Sequence, residues 1–273
     1  MVVKLKTKMS EVQSIAPTNN PDDQDLITGV PANLVQPPVE DPGSDWGYTV
    51  DFEEYRRRMG LNPSEHQGRE VIHRDSRIDG GVYTGTYGGE AIVVDSKKYP
   101  DGITKLMGEV KHRITDEHGN QHRDRVLESV FNVVTEAMPY SKAGVEGLLS
   151  DIAGQMGESE IPDGTKVALD DFIQSRVGVC RHQALTAGLL LEMLKDEGVI
   201  RGQVSVDRNM NWNPTKDKYD GHAWVRYTAN SGDVVIIDIA QQYFGLLEDS
   251  EGELHGWDYM RPEDRQGKQP PVK

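Results

Sequence analysis

One cysteine in 273 residues, Cys180, rules out any internal disulfide and any cysteine zinc cluster, and leaves a single thiol to account for. Core material is scarce too. Hydrophobic residues make up 36% and aromatics 7%, too little for a chain packed from end to end, so part of it is expected to stay outside the core. Positive charge is in deficit: 30 Lys and Arg face 45 Asp and Glu, and the net charge of −15 argues against nucleic acid and anionic membrane as partners. No apolar run approaches the roughly 20 residues of a membrane span. The opening MVVKLKTKMSEVQ lacks the apolar stretch, roughly 7 to 15 residues, of a secretory signal. The sequence therefore reads as a soluble, cytoplasmic protein, with a length that suits one large or two small domains.

Six of the fourteen prolines fall within residues 1–45, together with an Asp-Asp-Gln-Asp cluster and no sustained periodicity, which predicts a flexible arm. The tail 258–273 has the same character and is expected to be loosely held. Within 46–123, an N-terminal extension of unknown role, DFEEYRRRMG has helical composition and GGVYTGTYGGEAIVVDS the content of short strands and turns. The span 124–257 is expected to be the core. In HRDRVLESVFNVVTEAM, Leu127, Val130, Phe131, Val134 and Met138 form one helical stripe that Pro139 ends. A loop rich in Gly, Ser and Asp is expected up to about Gly164. From Cys180 to Glu197 apolar residues lie on every side of a helix that Gly198 stops, which predicts a buried helix. GQVSVDRNM, GHAWVRYTA and DVVIIDIAQQ then read as three antiparallel strands, so the class is α+β.

A thiol in the first turn of that helix faces unpaired backbone amides and the positive end of the helix dipole, which favour the thiolate. His222 and Asp238 are sixteen apart, with Asn230 of the intervening turn midway. A hairpin symmetric about that point sets the two face to face on adjacent strands, within hydrogen-bonding reach. An aspartate inside VVIIDIA is expensive to bury without such a partner. In these roles Cys180 attacks an amide carbonyl, His222 carries the proton and Asp238 fixes the imidazole tautomer. Gln174 is a candidate side-chain donor to the oxyanion. Trp224, two residues from His222 on one strand face, is a candidate shield or part of the core.

The helix ending in EAMPY, GVCRHQA opening an apolar helix, then GHAWV and VVIIDIA, in that order, resemble the transglutaminase-like superfamily, relatives of the papain-type thiol enzymes, over about residues 124–245. The resemblance implies Cys180 as nucleophile, His222 as base and Asp238 as its orienter, with the cysteine helix packed on an antiparallel sheet. The superfamily includes amide hydrolases, peptidases, acyl transferases and inactive binding modules, and the chain is expected to be a thiol peptidase or amidase acting on a peptide or protein through a thioester, without cofactor or metal. Acyl transfer to an amine and an inactive binding module are the alternatives. The sequence departs from many relatives in having Ile239-Ala240 after the aspartate, where Asp-Pro is common.

Other signals are weaker. The spacing of His112, His118 and His122 fits no compact metal pair. Asp207, Asn209 and Asn211 mimic half a calcium loop, but Trp212 and Lys218 stand where Gly and Glu are needed. The glycines of GGVYTGTYGG lack the context of a phosphate loop and read as turn residues.

Overall fold

The computed structural model describes residues 49–51, 65–85, 89–213, 216–250 and 257–265, so the arm at 1–45 and the helix expected at 52–60 lie outside the described residues. The strands are β1 (Thr49–Asp51), β2 (Glu65–His66), β3 (Arg69–Glu70), β4 (Val82–Thr84), β5 (Ala91–Val93), β6 (Lys166–Ala168), β7 (Gln203–Asn213), β8 (Lys218–Thr228), β9 (Val234–Asp238) and β10 (Tyr243–Leu246). The helices are α1 (Asp101–Ile114), α2 (Val126–Ala137), α3 (Lys142–Met156), α4 (Leu169–Ser175) and α5 (Cys180–Asp196). The α+β class is borne out. The main sheet has the order β1-β7-β8-β9-β10 with every neighbour antiparallel, and a smaller sheet runs β4-β5-β6. None of the helices is long and apolar enough to cross a membrane among the described residues.

The stripe on α2 is buried as its spacing predicts, with Leu127, Val130, Phe131, Val134 and Met138 all in the core. Helix α5 is covered on all sides: it lies on β7 and β8 and is backed by α1, α2 and α4. Gly188 allows the close approach to the sheet, since a Cβ there would lie 2.8 Å from Ile78 Cδ1 and 3.0 Å from Val206 Cγ2.

Three expectations are corrected. The segment before Gly164 is not all loop. It holds α3, whose glycines and mostly exposed surface hide the helical period, with only Val145 and Ala153 buried. Its ends are nonetheless marked, by Ser141 accepting from the Gly144 amide at 2.9 Å and by Gly157 at φ 80°. Residues before 124 are not packed apart from the rest, because Ile72, Ile78, Ile92 and Ile103 share one apolar cluster with α5 and the main sheet. Finally, residues 258–265 of the expected loose tail are held in place. The sheet face bearing Val206, Val225 and Ile237 takes α5, while the opposite face, with Trp224 and Ile236, takes Tyr259.

Candidate active site

Cys180 is the first residue of α5, following Val179 in extended conformation. Gly178 sets the approach, since a Cβ there would collide with Met138 Sδ at 2.4 Å. The helix start is pinned by an inverted cap: His182, at the third helical position, accepts the Val179 amide on Nδ1 at 3.1 Å. With Nδ1 accepting, the proton sits on Nε2, which points at Glu90 Oε1, 3.4 Å away. Burial holds this imidazole down at about 4, helped by the Arg181 charge and opposed by Glu90. Glu90 also receives Arg181 Nε at 2.9 Å. Burial would raise its carboxyl, but the bonds from His182 and Arg181 hold it at about 2.

The pair expected across the hairpin forms, in a different register. Thr228 pairs with Val234 and Val225 with Ile237, so the strands turn about Ser231 rather than Asn230. The cause is a three-residue loop, 230–232, closed by Ala229 N–H donating to Asp233 O at 2.9 Å and by Gly232 at φ 96°. Continuing this register brings Asp238 level with Trp224 and diagonal to His222. The shift is a whole residue about the centre, so parity is kept and the two side chains share a face. His222 Nε2 meets Asp238 Oδ2 at 2.5 Å. The ring's remaining nitrogen is Nδ1, and among the causes acting on the Cys180 thiol His222 is the largest that lowers it.

Strand β8 continues beyond its last pairing with β9, and that stretch carries His222 and Ala223, both of which act on the Cys180 thiol. Burial pushes the Cys180 thiol up, but the hydrogen bond and charge of His222, the Arg181 charge and the Ala223 amide outweigh it and hold the thiol below its ordinary value. For His222, burial lowers the imidazole, while the charge and hydrogen bond of Asp238, reinforced by Cys180, raise it to about 10. Both shifts favour a thiolate beside an imidazolium.

Asp238 is fully buried. Its Oδ1 accepts the Gln241 amide at 3.1 Å, and its Oδ2 accepts Tyr259 Oη at 2.8 Å besides His222. Trp257 stacks on the His222 ring with centroids 4.7 Å apart, and Trp224 lies 5.9 Å from it, buried edge-on to Tyr259. Trp224 thus belongs to the core behind the site. Gln174 does not reach the sulfur: it is exposed on α4 and its amide donates to Asp170 Oδ2.

Sequence reasoning missed the part played by residues 257–265. The signal was the alternation Ser205, Asp207, Asn209 on β7, three buried polar side chains on one face. Arg261 Nε donates to Asp207 Oδ2 at 2.7 Å and its Nη2 to Ser205 Oγ at 2.9 Å, while Asn209 Nδ2 donates to Asp258 O at 2.6 Å. Arg226 adds a bidentate pair to Asp264 at 2.8 and 2.7 Å. Of the three histidines set aside as metal ligands, His122 lies 3.3 Å from Asp116 and His118 lies 3.5 Å from Glu117.

Set against known proteins, the chain matches no protein family model, no curated protein and no solved structure.

Proposed function

We propose that this chain is a thiol-dependent amide hydrolase, a peptidase or amidase, built on a transglutaminase-like arrangement of cysteine helix and antiparallel sheet. The observation that carries the reading is His222, bonded through Nε2 to a buried carboxylate and lowering, together with Arg181, the pKa of the chain's one thiol at a helix N-terminus. The Cys180 thiolate attacks the carbonyl carbon of the scissile amide, and the C–N bond breaks as imidazolium Nδ1–H passes its proton to the leaving amine. A thioester to Cys180 remains. Water then gives a proton to His222 while its oxygen attacks the thioester carbon, which releases a carboxylic acid and restores the ion pair. The backbone amides opening α5 are aimed to stabilise the oxyanion in both steps. Asp238 keeps the ring in the tautomer that leaves Nδ1 for the reacting atoms.

The experiment is to supply a library of peptide and glutamine amides with excess labelled primary amine and weigh the products. Acid products that disappear in Cys180→Ala are expected. Predominant amine incorporation would overturn hydrolysis in favour of acyl transfer. No turnover, with Cys180 untouched by acyl probes, would overturn the enzyme reading in favour of a binding module.

A further inference from the structure

The triad reading leaves one polar group unused. Tyr259 comes from the C-terminal segment, is 2% exposed, and donates its hydroxyl to Asp238 Oδ2, the same oxygen that faces His222 Nε2. Its ring is fixed by stacking on Tyr243, centroids 5.5 Å apart and planes within 10°, and by the edge contact with Trp224. The segment is anchored on both sides of it by Asn209 to Asp258 O and by Arg261 to Asp207. A buried carboxylate needs donors to remain an acceptor, since burial alone drives it to take up a proton. Among the described residues Asp238 has three: His222 Nε2–H, the Gln241 amide and Tyr259.

We infer that Tyr259 is a positioning residue of the site, its hydroxyl holding Asp238 as the acceptor that His222 requires. The inference rests on the thiol-enzyme reading and extends it from three residues to four. Among the described residues, the ionisable groups around Asp238 are His222 on β8, Tyr243 opposite it on β10, Tyr259 itself, and beyond His222 the Cys180 thiol with Arg181 beside it on α5. Tyr243 spends its hydroxyl on Leu246 O at 2.8 Å. Without the Tyr259 hydroxyl the Asp238 carboxylate is less firmly held against His222 Nε2, and the thiolate loses support with it.

The test is the pH profile of Cys180 alkylation by iodoacetamide in the native chain, Tyr259→Phe, Asp238→Asn and the double variant, each checked for folding by its thermal transition. Phe keeps the packing and deletes only the hydroxyl. Tyr259→Phe is expected to move the acid limb upward by at least half a pH unit, about threefold less thiolate on the limb, and to add nothing in the Asp238→Asn background. A folded Tyr259→Phe whose profile superimposes on an activated native profile would overturn the inference and leave the triad reading standing. An equal shift in both backgrounds would show that the hydroxyl acts through something other than Asp238 and would also overturn it. A native profile like that of an ordinary thiol would instead sink the triad reading beneath it.

Discussion

At the residue scale, the most constrained group outside the triad is His182. It is fully buried against Phe172, with ring centroids 4.0 Å apart, and it must be neutral for Nδ1 to accept the Val179 amide. Burial lowers its imidazole from the ordinary value of 6.5 to about 4, so the fold favours the neutral form. The stability tied to this residue is complete above pH 6.5 and is lost as pH falls toward 4, on the order of 3 kcal/mol in all. Glu90, held at about 2, adds a lower window: its contribution is complete above 4.5 and is lost as pH falls toward 2. The urea midpoint is therefore expected to drop between pH 6.5 and 4, and His182→Gln, which can still accept the Val179 amide, is expected to flatten that drop. A variant with the same pH dependence as the native chain would show that His182 is not the group responsible.

At the scale of elements, the helices and strands were legible where one periodicity dominated. The α2 stripe follows its sequence pattern because it buries one face, and α5 and the three strands follow theirs because they are covered on every face. Helix α3 was hidden because a helix that buries only two of its residues leaves almost no apolar period to read. The His222–Asp238 pair was legible through parity alone: the hairpin centre was misplaced by one residue, yet the two still share a face. The C-terminal segment was illegible because its hold on the body is two aromatic rings, Trp257 and Tyr259, and a set of ion pairs, none of which makes an apolar period, so it looked like a tail. Arg261 is the centre of that hold, bonding Asp207, which is 1% exposed, and also Asp75. Arg261→Ala leaves the Asp207 carboxylate buried without its counter-ion, a defect of about 3 to 5 kcal/mol. Urea unfolding is expected to show that loss, and amide turnover is expected to fall with it as Trp257 and Tyr259 lose their anchor. Unchanged stability would mean that the pair is not formed in solution.

At the scale of the whole molecule, the site depends on one core that takes in residues on both sides of position 123. Ile72, Ile78, Ile92 and Ile103 pack into the cluster that holds α5, and Glu90 fixes its first turn. A piece cut to 124–257, though it carries all three triad residues, is therefore expected to lack a cooperative unfolding transition; a sharp urea transition in that piece would show an independent domain. The same core brings together residue 180 of a helix and residues 222 and 238 of two strands, and in the proposed function their meeting turns a thiol into a thiolate. The measurement that tests it most directly is the rate of iodoacetamide labelling of Cys180 against pH, in the native chain and in His222→Ala. Labelling with a midpoint well below the ordinary thiol value of about 8.5, moved upward in the variant, is the expected result. A native midpoint at the ordinary value, unchanged by the loss of the imidazole, would contradict the account.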